Sequence, residues 1–294
     1  MKKFLAALVI VGLVAFAAGL FITRPQTVEP ERFAALSGDA SRGETVFWAG
    51  GCASCHKAEG SDDALALPGG RRFATGFGTF VAPNISPHPE HGIGGWTLAD
   101  FASALKEGTS PDGSHYYPSF PYATYARMTD ADVADLWAFM QTLPPQDRTN
   151  EPHDLGFPFN IRLTLGGWKM LFLNDDWVLT AADTPELERG RYLVEALGHC
   201  AECHTPRNAL GGLDTVRWMA GAPNPSGKGT IPGIAPGKLD WAAGDIAYYL
   251  ETGFTPDFDS AGGEMTEVIA NMSKLSPEDR AAIAAYVKAL PAVE

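Results

Sequence analysis

Positive charge is in short supply in this chain. Lys and Arg number 22 against 35 Asp and Glu, a formal net charge of −13 at pH 7. A nucleic-acid binder needs a basic face to neutralise phosphates, so that class is excluded. A flavin or nicotinamide fingerprint, a nucleophile pair and an evident general base are all missing. No stretch alternates convincingly enough to read as a strand, so the chain is expected to be mostly α. Cysteine is scarce as well, with four in 294 residues. What is present is apolar: 45% hydrophobic residues, too many for a disordered chain, in a length that suits two ordinary domains. With 32 glycines and 22 prolines, long loops should join short elements.

The N-terminus carries an uncharged apolar run. Lys2 and Lys3 precede it, it extends from Phe4 to Ile22, and Arg24-Pro25 ends it. Two readings compete. Ala15-Phe16-Ala17 is a possible cleavage site for a signal peptide. However, apolar residues continue past that site for long enough to span a bilayer, which favours an uncleaved anchor over residues 1–23. Either way the lysines stay cytoplasmic and the remainder is exported, to the periplasmic side of a bacterial inner membrane. Residues 24–36 read as a tether.

All four cysteines fall in two copies of one motif, Cys52-Ala53-Ser54-Cys55-His56 and Cys200-Ala201-Glu202-Cys203-His204. C-x-x-C-H is the attachment signature of c-type haem. Two thiols add across the haem vinyl groups, and the adjacent imidazole is delivered to the iron as proximal ligand. One helical turn must present both sulfurs and the ring to one porphyrin face, which fixes the spacing. A zinc site built from two such knuckles wants them about 15–20 residues apart, whereas about 144 intervene here. Disulfides would leave both histidines unexplained. Two covalently bound haem c groups are therefore expected, with His56 and His204 on the irons.

The motif is part of a larger repeat. Trp96, Asp100, Leu105, Gly108 and Pro111-Asp112 recur as Trp241, Asp245, Leu250, Gly253 and Pro256-Asp257. Pro83-Asn84-Ile85-Ser86-Pro87 recurs as Pro232-Gly233-Ile234-Ala235-Pro236, and Met128-Thr129 with Leu143-Pro144 as Leu275-Ser276 with Leu290-Pro291. Nearly one offset throughout means a duplicated domain, residues 37–145 and 184–294. In each copy a helix precedes the motif (Ser41–Ala49; Pro185–Leu197, capped by Thr184), and a Gly/Pro-rich loop follows it. A short helix then begins at Thr97 or near Ala242. A terminal helix closes the domain, capped by Thr129 or Ser276. Its buried stripe is Val133, Leu136, Trp137 and Met140 in one copy and Ile283, Tyr286, Val287 and Leu290 in the other.

Helix, C-x-x-C-H, proline loop, helix, methionine loop and terminal helix resemble class I cytochrome c, twice over. Several segments are similar to the cytochrome c subunits of bacterial membrane-bound alcohol and gluconate dehydrogenases, and to dihaem cytochromes partnering molybdenum hydroxylases. They are Ala82-Pro83-Asn84-Ile85, Gly92-Ile93-Gly94-Gly95-Trp96, Ser119-Phe120-Pro121-Tyr122 and Gly198 through Asn208. The alcohol dehydrogenase subunits carry three haems, and this chain has cysteines for two.

The resemblance implies that the carbonyls of Pro83 and Pro232 accept the second N–H of His56 and His204, and that Met265 is the distal ligand of the second haem. In the first domain Phe120 takes the place of Met265, and Phe cannot bind iron. Met128, His115 or no ligand at all remain open there. Arg71 and Arg72 are candidates for pairing with haem propionates, or are plain solvated arginines. The connector, residues 146–183, holds Phe157, Phe159, Trp168, Phe172 and Trp177, too much aromatic surface to leave in water. It is expected to pack across both domains, or else to offer a docking surface to a partner, with a short helix over 166–173.

The expected function is single-electron transfer, by resemblance from a periplasmic or membrane-bound dehydrogenase towards an oxidase or another cytochrome. A dihaem peroxidase with one open iron is the alternative; a haem sensor lacks an output domain.

Overall fold

A computed structural model describes residues 1–293. Helix α1 (Lys2–Ile22) buries none of its side chains. Its 21 residues extend about 31 Å at about 1.5 Å per residue, the thickness of a bilayer core. The stretch read as a tether lies strapped to the first domain. Val28 and Phe33 are buried, the Val28 N–H donates to Ser103 Oγ at 2.9 Å, and Arg32 pairs with Asp130 at 2.6 Å.

The first domain opens with α2 (Ala40–Ala49), whose first turn is capped by the Asp39 carboxylate. The attachment turn α3 (Cys52–His56) follows directly. Next comes an antiparallel hairpin, β1 (Arg72–Thr75) and β2 (Gly78–Val81), in register from Arg72 opposite Val81 to Thr75 opposite Gly78. The sequence does not announce this hairpin, because four residues are too few to display an alternating pattern. Helix α4 (Leu98–Ala102) starts at a Thr97/Asp100 capping box and passes into a π turn, Ser103–Glu107. The short α5 (Tyr122–Tyr125) and the terminal α6 (Asp130–Met140), capped by Thr129, complete the domain.

The connector adds β3 (Asp154–Leu155) to the edge of β2, then α7 (Thr164–Phe172). In the second domain α8 (Pro185–Tyr192) is capped by Thr184 and passes into a π turn, Leu193–Leu197, before the attachment turn α9 (Ala201–His204). A two-residue ladder, β4 (Ala222–Pro223) with β5 (Thr230–Ile231), stands where the first domain has its hairpin. Helices α10 (Ala243–Thr252), α11 (Met265–Met272) and α12 (Pro277–Ala289) finish the chain. Helix α11 replaces the methionine loop expected around Met265.

In both copies the leading helix crosses the terminal helix so closely that only glycine fits. A Cβ on Gly43 would collide with the Asp135 carbonyl, and one on Gly190 with that of Ala282. The predicted stripes are buried, with Trp137 half-buried. One more residue separates Gly190 from Cys200 than separates Gly43 from Cys52. The π turn Leu193–Leu197 absorbs it, keeping the attachment turn in place relative to the helix crossing.

Candidate haem-attachment sites

Each attachment turn puts two thiols and an imidazole on a single helical turn. His56 Nδ1 lies 2.8 Å from the Pro83 carbonyl, and His204 Nδ1 lies 2.7 Å from that of Pro232. A ring that donates Nδ1–H to a fixed carbonyl has its tautomer and plane set, and its Nε2 lone pair is free for iron. Burial lowers the pKa of both histidines, which keeps them neutral and able to ligate. Burial also pushes the thiols up, Cys52 and Cys200 to about 12 and Cys55 to about 11, so they rest protonated. Thiol pair, neutral imidazole and locked tautomer together fit a covalently attached haem on each turn.

The two sites interlock. Helix α11 of the second domain lies across the first attachment turn: Asn271 Nδ2 donates to Ser54 Oγ at 2.7 Å, and Lys57 pairs with Glu267 at 2.8 Å. Arg71 joins both sides, donating to the Ser54 carbonyl at 2.5 Å and to Glu264 at 2.9 Å. In the reverse direction, α5 of the first domain meets the second site. Thr124 Oγ1 lies 3.4 Å from Glu202, and the ring of Tyr125 meets that of His199 edge-on at 6.0 Å. The Tyr125 hydroxyl also donates to the Gly50 carbonyl at 2.8 Å, just ahead of the first motif. Cys55 and Cys203 are close enough for the charge of one to raise the pKa of the other.

The remaining sequence candidates sort by position. The two arginines separate, as successive residues entering a strand do. Arg71 stands at the first attachment turn, whereas Arg72 is exposed and pairs with Glu151 of the connector at 3.1 Å. Met265 is half-buried at the start of α11, next to Glu264. Its neighbour Met272 is a buried core residue. Met128 is buried, and its carbonyl accepts from Lys106 Nζ at 2.5 Å. Phe120 packs on Tyr125, ring centroids 5.8 Å apart. His115 lies elsewhere, at the foot of α1, where its Nε2 bonds the Thr23 carbonyl at 2.9 Å. Trp96 and Trp241 pack against the core.

Sequence reasoning missed Lys57, Glu264, Glu267 and Asn271, because nothing in a linear pattern couples residues about 200 positions apart. It also missed Asn84, whose buried amide donates to the carbonyls of Gln146 and Arg148 at 2.6 and 3.0 Å. Those bonds seat the connector on the residue following Pro83. The connector spans both domains as expected: further along, the Val178 and Leu179 N–H groups donate to Glu195.

The family model for cytochrome c matches residues 40–144 and 187–291. Over 296 residues the chain is 63% identical to a diheme cytochrome c-type protein of Cereibacter sphaeroides, covering 100% of both. It is 37% identical over 275 residues to the fructose dehydrogenase cytochrome subunit of Gluconobacter japonicus, covering 92% of this chain and 56% of that one. It is 35% identical over 280 residues to the gluconate 2-dehydrogenase cytochrome c subunit of Pantoea cypripedii, covering 88% of this chain and 63% of that one. The chain thus spans the first of these relatives whole and less than two thirds of the other two.

Proposed function

The chain belongs to the cytochrome c family, as two tandem domains carrying two covalently bound haem c groups, and from that premise we propose how it is used. Its electrons come from a periplasmic or membrane-bound dehydrogenase and leave for a terminal oxidase or another cytochrome. The chain works on the periplasmic side of the inner membrane, anchored by α1. Cys52 and Cys55 hold one haem and Cys200 and Cys203 the other, with His56 and His204 as proximal ligands. Met265 is the distal ligand of the second haem and Met128 that of the first.

The observation that carries this reading is the interlock of the two attachment turns. When bound, the haems supply reversible one-electron iron chemistry. The protein's part is to keep the two centres close and to let little move when charge does. The Pro83 and Pro232 carbonyls hold each imidazole in one plane and increase its basicity. The Arg71, Lys57 and Asn271 bonds fix one turn against the other. A thioether on the far side favours the reduced state and closes the iron to small ligands. The names of the relatives, cytochrome subunits of fructose and gluconate dehydrogenases among them, support the donor class.

The test is isolation from native membranes in mild detergent, with bound proteins identified by mass spectrometry. A dehydrogenase should accompany the chain, and its substrate should reduce both haems. Isolation without one, or haems that stay oxidised, would remove the donor from the proposal.

A further inference from the structure

We infer that helix α7 of the connector lies in the outer interface of the lipid bilayer beside α1, so that the protein meets the membrane at two places. This rests on reading α1 as an uncleaved anchor.

The inner face of α7 is fully engaged with protein. Gly166 lies flush against the Thr23 carbonyl at the end of α1. Lys169 Nζ donates to the carbonyls of Glu107 and Gly108 at 2.5 and 2.7 Å. Trp168 Nε1 donates to the Leu210 carbonyl at 3.1 Å, and the Phe172 ring covers Gly212. The helix is therefore held firmly by both domains.

Its outer face is apolar and bare. Leu163, Met170 and Leu171 recur at helical spacing and are 50%, 63% and 64% exposed. That face runs on from α1 without a break. Leu163 shares a hollow with Ala15, Phe16, Gly19 and Leu20, and Met170 shares another with Ile22 and Thr23. Ala15 to Thr23 cover about the last 12 Å of the span, the depth from acyl chains to headgroups. An interfacial helix sinks its apolar face about 5–10 Å at that boundary. Lipid already sheathes the α1 wall, so the surface continuous with it faces the same solvent. That makes lipid, and not a protein partner, the occupant.

The test uses the full-length haem-loaded protein in nanodiscs of phosphatidylcholine and phosphatidylglycerol. A nitroxide is attached at Met170→Cys or Leu171→Cys, and at Val216→Cys as a water-facing control, since Val216 is apolar, 88% exposed and lines neither hollow. Unchanged haem spectra and mass verify each variant. Labels at 170 and 171 should favour collision with oxygen over a water-soluble nickel chelate severalfold more than the label at 216. Equal nickel access at all three positions, with an intact N-terminus, overturns this inference alone. A native chain that begins near Ala18 and is soluble overturns the anchor reading, and this inference with it.

Discussion

The two domains solve the same packing problem with different chemistry. Where α2 crosses α6, Phe47 meets Phe139 with ring centroids 5.2 Å apart. At the matching crossing of α8 and α12 a carboxylate and a phenol take those places. Tyr286 donates to Glu195 at 2.6 Å and accepts from Trp218 at 3.0 Å. The Glu195 carboxylate also accepts the Val178 and Leu179 N–H groups at 2.7 and 3.0 Å. The first domain gets a dry core from its pair, whereas the second uses its pair to fasten the connector. A second exchange surrounds the carbonyl before each terminal helix. Lys106 satisfies that of Met128. Its counterpart is Glu251, which pairs with Arg280 at 3.0 Å, and Arg280 in turn satisfies Leu275 at 2.5 Å. The requirement is kept while the sign of the charge at one position is reversed.

The largest expected effect tests whether the copies are equivalent in the chemistry they share. Cys52→Ser with Cys55→Ser, or Cys200→Ser with Cys203→Ser, should each leave one haem increment in the intact mass where the parent has two. A parent with one increment would defeat covalent attachment at one of the turns, and haem that extracts into acid solvent would defeat it at both.

Next in size is the distal side, where the copies differ. Met265→Ala should remove about half of the thioether-to-iron charge-transfer absorption and let one ferrous haem bind carbon monoxide. Met128→Leu sharpens the contrast, because it installs the leucine that the second domain has at this place. It should remove the other half; unchanged spectra would make Met128 a core residue like Leu275.

Stability effects are smaller. Tyr286→Phe leaves a buried carboxylate and an indole N–H short of a partner, a loss of about 1–3 kcal/mol. That corresponds to roughly 2–4 °C of melting temperature per kcal/mol for a chain of this order of size. Phe139→Tyr should destabilise the first domain instead, because no carboxylate stands at Phe47 to receive the hydroxyl. Differential scanning calorimetry of the two variants reads both.

The smallest effect concerns pH. Burial opposes ionisation of Asp135, but the bonds from Arg42 and from the Asp39 N–H outweigh it and hold the carboxyl below its usual range. A carboxylate with a depressed folded pKa stabilises above the unfolded value and loses that contribution as pH falls through the folded one. The melting-temperature gap between parent and Arg42→Ala should therefore be open at pH 7 and close progressively below pH 3.8. Arg189→Ala removes the corresponding arginine's pair, which in the second domain goes to Asp279 because Ala282 stands where the first domain has Asp135, and provides the comparison.

The helices were legible because their signals are local. Thr97, Thr129, Thr184 and Ser276 all cap as their spacing implies, and the terminal stripes repeat at helical period. The attachment turns and their proline carbonyls were legible as motifs. The β1–β2 hairpin was not, since its strands are four residues each and owe their pairing to turn geometry. Helix α11 was hidden behind the glycines at 262 and 263, which read as loop. The clasp around the first turn had no sequence signal, because Lys57–Glu267 and Ser54–Asn271 are meetings of surfaces. His115 shows the converse failure: a ligand-type residue in the right loop is occupied with the end of α1.

The crossing of α11 over the first attachment turn also bears on how the protein is made. An enzyme that attaches haem must grip both thiols and the histidine of a motif while that segment is still open. Once Asn271, Glu267 and Glu264 have closed on Ser54, Lys57 and Arg71, the first motif is no longer open to such a grip. Haem must therefore be in place on the first motif before the C-terminal domain docks. Biogenesis thus acquires an order that the symmetric repeat alone would not impose: attach at the first turn, then close.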